Sequence, residues 1–243
     1  MKIYCTRNEL NRAINNVSHS IPTRTPSPIL EGILIETKGD RMYLTATDTN
    51  MTIESNIPVD SEGDVSFVIE EKNFANIVNK LPEEEVLMDY NHEKNQIRIN
   101  SGKSSSTFNC FSADEFPRFN IGEGQKIILS KKDIKNLIRK TSFSASADEL
   151  NGVLTGILIE LGDGNLRMVA VDTFRMAIYN AKVDTDEQLS IVVPAKLLGE
   201  VSKIIIDDDN DEQLFMEIVD NKVVMLFDNN RVILNTLNGK YID

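Results

Sequence analysis

The sequence lacks the residues and motifs that reveal most kinds of protein chemistry. Its 243 residues include two histidines, two cysteines and no tryptophan. His19 and His92 belong to different predicted segments, and Cys5 and Cys110 form no CxxC pair, so neither set predicts a zinc site. Glycine-rich phosphate-binding motifs, the GxSxG nucleophile motif and the HExxH metalloprotease motif are also missing. We therefore expect a protein that is not an enzyme and that uses no cofactor or metal.

Long apolar runs are missing as well. No stretch approaches the run of about 18 apolar residues that a membrane-spanning helix requires. The first residues, Met1 to Tyr4, lead directly into a strand pattern without the apolar core of a signal peptide. The two cysteines are expected to be small buried side chains of a reduced protein. Together these features predict a cytoplasmic protein without a membrane partner.

The sequence does contain one long internal repeat. Leu30 to Glu36 reads LEGILIE and Leu154 to Glu160 reads LTGILIE, 124 positions later. Each copy is followed at the same distance by a block that ends in Asp-Thr, 46–49 and 170–173. A repeat of nearly half the chain indicates a duplicated domain rather than a solenoid unit.

The two halves of the chain show the same order of predicted elements. Thr6 and Ser130, again 124 positions apart, are residues that commonly cap a helix, and apolar positions recur at helical spacing after each. Helices are predicted over 6–20, 70–81, 130–144 and 194–205. With the strands between them, the order is β-α-β-β-β, twice in each half, which predicts an α+β fold. The predicted domains cover 1–120 and 125–243, and the predicted linker covers about 114–124.

Charge is divided unevenly between the predicted helices and the rest of the chain. The net charge is −12, which on average repels nucleic acid and anionic membranes. The four helical segments nevertheless carry 11 Lys and Arg against 5 Asp and Glu, so the remainder holds a net −18. In the third helix, Lys131, Lys132, Lys135 and Arg139 project into one sector, away from the apolar residues. Such a row can lie across phosphates without reading bases, and an ordinary solvated helix face has the same pattern.

Two acidic features are predicted to be structural. Asp48 and Asp172 hold equivalent places in separate domains, so we predict turn carboxylates that accept hydrogen bonds from nearby backbone N–H groups, not a paired-carboxylate site. The acidic run at 207–211 lacks the glycine and terminal glutamate of a calcium loop, and a solvated turn is predicted there.

Motifs along the whole chain resemble, in family order, those of the bacterial DNA polymerase III beta subunits, the DNA sliding clamps. They are 24–30 (RTPSPIL), 45–48 (TATD), 101–104 (SGKS), 113–117 (ADEFP), 154–160 (LTGILIE), 169–176 (VAVDTFRM) and 238–243 (NGKYID). The resemblance implies domains of paired β-α-β-β-β units, with helices on the inside of a ring and antiparallel sheets on its outside. It also implies a non-catalytic processivity factor that encircles double-stranded DNA, independently of sequence, and tethers the replicative polymerase during DNA replication.

The resemblance further implies two sets of site residues. Arg24 matches the family's DNA-facing loop arginine, and helical geometry adds Lys72, Lys131, Lys135, Arg139 and Lys196. The family binds short peptides of polymerases and of the clamp loader in a pocket. The matching second-domain wall is Leu154, Val171, Thr173, Phe174, Arg175, Met176 and Ile242. Phe174 stands where the family usually has histidine, and Ile242 stands where it often has proline.

The length leaves alternatives open. The family has three such domains per subunit and two subunits per ring, whereas this chain stops as its second domain ends. We expect either a clamp chain that lacks the third domain, which the motifs favour, or a two-domain clamp that closes a ring from three copies, as in the proliferating cell nuclear antigen family. A duplicated protein-interaction scaffold without DNA binding is the alternative from a different class.

Overall fold

The computed structural model describes residues 1–119, 121–122, 124–185, 187–206 and 213–242. The turn predicted at 207–211 therefore lies outside the described residues. The chain divides into two compact units, Met1–Asn120 and Ile121–Asp243. Among the described residues both contain the same succession of helices and strands, apart from one additional two-residue strand in the first unit.

The first unit holds two helices and nine strands within its described residues. The helices are α1 (Arg7–Ser18) and α2 (Glu71–Asn79). The strands are β1 (Lys2–Thr6), β2 (Gly32–Lys38), β3 (Arg41–Thr47), β4 (Met51–Pro58), β5 (Asp60–Ser61), β6 (Ser66–Glu70), β7 (Glu85–Asn91), β8 (Gln96–Ser101) and β9 (Ser104–Ser112). They pair in the order β4-β3-β2-β6-β9-β8-β7-β1-β5. Short 3-10 helices occupy Pro28–Glu31 and Ala113–Glu115.

The second unit repeats the arrangement. Its helices are α3 (Lys131–Thr141) and α4 (Ala195–Ile204). Its strands are β10 (Gln125–Ser130), β11 (Gly156–Gly162), β12 (Asn165–Val171), β13 (Met176–Lys182), β14 (Leu189–Pro194), β15 (Gln213–Val219), β16 (Lys222–Phe227) and β17 (Asn230–Asn235). They form the series β13-β12-β11-β14 and β10-β15-β16-β17. These pairings are antiparallel, and the predicted α+β fold of β-α-β-β-β units is confirmed.

Side-chain caps begin the first helix of each unit. Thr6 Oγ1 accepts a hydrogen bond from the Glu9 N–H at 3.3 Å, and its hydroxyl donates to the Glu9 carboxylate at 2.8 Å. In the second unit, Ser130 Oγ accepts from the Asp133 N–H at 3.4 Å. Each cap satisfies one of the N–H groups that the first helical turn leaves unpaired. The caps predicted at Thr6 and Ser130 are confirmed.

The strands that contain the two copies of the repeat begin at Gly32 and Gly156. In both units a 3-10 helix, Pro28–Glu31 or Glu149–Thr155, precedes the strand, which starts at a glycine. A Cβ on Gly32 would lie 2.5 Å from Val68 Cγ1, and a Cβ on Gly156 would lie 2.5 Å from Val192 Cγ1. A Cβ at either position would force a neighbouring valine to shift, so these close approaches favour glycine in both copies of the repeat.

In each unit the two helices pack against one another and against the strands. α1 contacts α2 and packs on β3 and β4, while α3 contacts α4 and packs on β12 and β13. The apolar face of α1, including Leu10 and Ile14, is fully buried. This packing leaves the opposite sides of the helices available to solvent. None of the helices within the described ranges is both long and apolar enough to cross a membrane.

The cysteines are buried, as predicted. Cys5 and Cys110 are free thiols. Burial raises the pKa of each to about 12, so both are protonated thiols at neutral pH.

Candidate nucleic-acid interface and peptide-binding surface

Four of the six predicted DNA-facing side chains are exposed. Lys72 projects from α2, Arg139 from α3 and Lys196 from α4, and Arg24 is exposed in the loop that follows α1. Because the helices of a unit pack together, the exposed cations of a unit share one helical layer. That arrangement suits electrostatic contact with phosphates.

Lys131 does not belong to this exposed set. Its side chain is only 4% exposed, and its ammonium group pairs with the Asp228 carboxylate. The prediction that Lys131 faces the duplex is therefore wrong. A helical projection reports the angle about the axis, but here a carboxylate between β16 and β17, 97 residues along the chain, draws the long side chain inward. A buried ammonium requires such a partner.

Lys135 is half-buried. Its Nζ donates a hydrogen bond to the carbonyl oxygen of Ile205 at 3.0 Å, immediately after α4 ends. The side chain therefore ties α3 to the end of α4, and a phosphate contact would have to share this ammonium group.

Other helical cations are exposed although they were not among the six predicted DNA-facing residues. Arg12, Lys80 and Lys132 are exposed on or beside α1, α2 and α3. Lys203 is exposed too, but it forms an ion pair with Glu200 on the same helix at 2.8 Å. The excess of positive charge in the helical segments was the sequence signal from which Arg12, Lys80 and Lys132 could have been added to the predicted DNA-facing residues.

The turn between β12 and β13 is organised by one carboxylate. Asp172 Oδ1 accepts hydrogen bonds from the N–H groups of Phe174 and Arg175 at 2.8 and 2.9 Å, and its Oδ2 accepts from Arg175 Nε at 2.9 Å. These bonds, first that from Phe174, lower the pKa of Asp172. Asp48 acts alike in the first unit, where its Oδ1 accepts from the N–H groups two and three residues later at 2.9 and 2.7 Å. The prediction of two turn carboxylates is confirmed.

This turn and the strand after it display large apolar side chains. Phe174 is 95% exposed and Met176 is 52% exposed, and Thr173 and Arg175 are exposed beside them. The Arg175 guanidinium lies 5.9 Å from the ring centroid of Phe143, itself an exposed aromatic residue after α3. Exposed apolar groups gathered in this way are typical of surfaces that bind other proteins.

An apolar cluster lies behind the turn. Tyr241, Leu158, Val169, Val171 and Val192 form it, with Val153, Leu154 and Leu237 packed against them. The Tyr241 hydroxyl donates to the carbonyl oxygen of Gly156 at 3.2 Å, and burial raises the pKa of Tyr241. The predicted wall residues Leu154 and Val171 thus belong to one packed surface that also includes Tyr241.

A cleft of about 490 Å³ opens on this cluster and is lined by Ile242. Its other walls include Leu158, Val192, Leu237 and Tyr241, which also belong to the cluster. The seven predicted wall residues therefore fall into three groups: Leu154, partly buried, with the buried Val171; the exposed turn at 173–176; and Ile242 in the cleft. Sequence reasoning missed Tyr241, although an aromatic residue follows the last strand of the first unit too, at Phe116.

No group of three or more His, Cys, Asp or Glu side chains that could hold a metal ion occurs among the described residues.

Comparison with known proteins gives concordant matches over almost the whole chain. Residues 1–120 match the family described as DNA polymerase III beta subunit, N-terminal domain, and residues 128–243 match its central domain. The beta sliding clamp of Halalkalibacterium halodurans is 35% identical over 242 residues, which are 94% of this chain and 63% of that protein. The beta sliding clamp of Bacillus subtilis is 34% identical and covers 100% of this chain, which spans 66% of its length.

Solved structures agree with these matches. The crystal structure of the DNA polymerase sliding clamp from Bacillus subtilis has a TM-score of 0.95 at 32% identity. The match covers all of this chain and 66% of the Bacillus subtilis chain. That of a putative DNA polymerase III beta subunit from Eubacterium rectale has a TM-score of 0.94 at 32% identity, with the same coverage. The chain thus spans slightly less than two thirds of the proteins it matches, and the resemblance stated from the motifs is confirmed.

Proposed function

Because this chain belongs to the family of DNA polymerase III beta subunits, we propose that it acts as a DNA sliding clamp in the cytoplasm. In this role it encircles duplex DNA and tethers the replicative polymerase as a non-catalytic subunit of the holoenzyme. Its clamp domains cover 1–120 and 125–243, with the helices on the inner wall of the ring and the sheets outside. The observation that carries the proposal is the layer of exposed cations on the helices of an otherwise acidic chain.

We propose that DNA contacts this helical layer through phosphates alone. The contacting residues are Arg24, Lys72, Lys135, Arg139 and Lys196. Long, exposed side chains make weak phosphate contacts that carry no base information. A clamp that moves along DNA needs contacts of this kind, and the acidic remainder of the chain disfavours binding elsewhere.

The second proposed contact is with short peptides of the polymerase and of the clamp loader. Leu154 and Val171 supply its apolar floor, and the turn at 173–176 together with Ile242 supplies its rim. The exposed rings and the Arg175 guanidinium offer the combination of aromatic and arginine side chains that is frequent at binding hot spots.

Ring closure requires self-association. Analytical ultracentrifugation of the purified chain separates the two proposed assemblies. A trimer supports a ring of three two-domain chains, and a monomer supports the three-domain architecture of the family.

Retention on circular DNA tests the clamp function itself. The chain is incubated with the clamp loader and with either a nicked circular plasmid or the same plasmid made linear, and protein that stays on DNA is separated by gel filtration. A sliding clamp stays on the circle and runs off the linear form. Equal retention on both would contradict encirclement. If the purified chain is a trimer, no retention on either form after successful loading of a known clamp would contradict the function.

A further inference from the structure

Tyr241 lies at the junction of two surfaces that the proposed peptide site needs. On one side its ring packs in the cluster that includes Leu154 and Val171. On the other side it lines the cleft that Ile242 borders. Neither Leu154 nor Val171 lines that cleft. Tyr241, which is 7% exposed, is thus one of the residues that the apolar cluster and the cleft share, together with Leu158, Val192 and Leu237.

The segment that carries Tyr241 is held at its two ends. Before it, the Leu237 N–H donates to the Val192 carbonyl at 2.8 Å, and after it the Tyr241 hydroxyl reaches the Gly156 carbonyl. Between these points residues 238–240 are exposed and have neither helical nor strand structure. Gly239 has φ +144°, and a Cβ there would lie 2.6 Å from Val153 Cγ1. A segment of this kind can detach without unfolding a regular element.

The equivalent segment of the first unit is built differently. Phe111 pairs with Val68 there, as Leu237 pairs with Val192 in the second unit. Four residues rather than three then lead to the aromatic side chain, Phe116, and three of the four form the 3-10 helix Ala113–Glu115. Phe116 is only 3% exposed. The first unit therefore seals the corresponding apolar cluster with an ordered turn.

We propose that residues 238–242 form a displaceable strap in which Tyr241 gates the peptide site. When its ring leaves the cluster, the floor at Leu154 and Val171 becomes continuous with the cleft at Ile242. A large apolar side chain of the incoming peptide then occupies the place of the ring. This inference rests on the proposed peptide-binding function, and it assigns that function to the second unit because the first unit has no comparable strap.

Peptide affinity tests the gate directly. The probe is a fluorescein-labelled six-residue peptide that carries adjacent leucine and phenylalanine, and binding is measured by fluorescence anisotropy. Tyr241→Ala removes the competing ring. We expect the variant to bind the peptide about tenfold more tightly than the unmodified chain, because a closed state no longer reduces the fraction of molecules that can bind peptide. Phe116→Ala is the matched control, with an aromatic ring lost from the equivalent place in the first unit and no change expected. Unchanged or weaker binding by Tyr241→Ala would overturn the proposal.

A second variant covers the possibility that Tyr241→Ala does not fold. In Gly239→Ala the ring is retained, but the new Cβ conflicts with Val153 and the backbone conformation is strained, so the strap is displaced at its middle. We expect tighter peptide binding here too, and weaker or equal binding counts against the gate.

Hydrogen exchange separates failure of the strap from failure of the peptide site. If no variant binds any peptide, the proposed site is wrong, yet the strap still predicts that the Leu237 amide exchanges through local opening. Its exchange should be faster than that of the amides of β17 and should not share their dependence on denaturant. Exchange of Leu237 as slow as that of β17 would overturn the strap whether or not peptides bind.

Discussion

Removing three exposed helical cations should weaken DNA binding and reduce its dependence on salt. The triple variant Lys72→Ala, Arg139→Ala and Lys196→Ala removes one exposed charge from each of three helices. Each neutralised phosphate contributes about 0.9 to the slope of log Kobs against log salt concentration, so three lost contacts lower its magnitude by about 2.7. When the salt concentration rises from about 50 to 200 mM, the DNA affinity of the unmodified chain should therefore fall by a factor about 40 times larger than that of the variant.

The assay is fluorescence anisotropy of a labelled duplex titrated at several salt concentrations. Lys94→Ala, Lys103→Ala and Lys182→Ala together form the matched control, since these lysines are also exposed but lie outside the helices. Both variants change the net charge equally, so a difference between them reports position rather than total charge. The same slope in the helical variant as in the unmodified chain, or an equal reduction in the control, would refute the assignment of the helical layer to DNA.

Three further predictions concern stability and reactivity. Lys131→Ala should lower the free energy of unfolding, measured in urea, by about 3 kcal/mol. This is the low end for a broken buried ion pair, because the carboxylate partner is partly exposed. The control Lys132→Ala should change the free energy of unfolding by less than about 0.5 kcal/mol, and equal effects of the two variants would refute the buried pair. Gly156→Ala should cost about 1–3 kcal/mol in the same assay, because the added methyl overpacks the start of β11, and an unchanged midpoint would contradict this close approach. Cys5 and Cys110 should react with a disulfide reagent at pH 8 only after denaturation, since raised pKa values keep both buried thiols protonated, and rapid labelling of the native chain would show that reasoning to be wrong.

Features that depend on neighbouring residues could be predicted from the sequence. Thr6 and Ser130 cap their helices through atoms only three residues away, and Asp48 and Asp172 bond to N–H groups two and three residues later. The internal repeat then carried each local prediction from one unit to the other. The order of elements followed because the fold is a duplicated set of such local units.

Features that depend on distant residues could not be predicted in this way. The burial of Lys131 is decided by a carboxylate 97 residues away, which no helical projection includes. The linker predicted from 114 contains Phe116, which instead closes a core cluster against Leu34 and Val68. Tyr241 escaped notice for the same reason, because its role comes from the strands it packs against. The candidate peptide wall in the second unit stays a proposal, since its three groups of residues are brought together by tertiary packing.

The two carboxylate-bound turns have a consequence for how such a surface can change over evolutionary time. Asp172 holds its turn through main-chain N–H groups, so the backbone path does not depend on which side chains occupy Thr173 and Phe174. Substitutions at those positions should be nearly neutral for folding while they change the exposed side chains of the surface. If the turn binds peptides as proposed, its preference can therefore change through single substitutions at 173 and 174, while Asp172 keeps the backbone path.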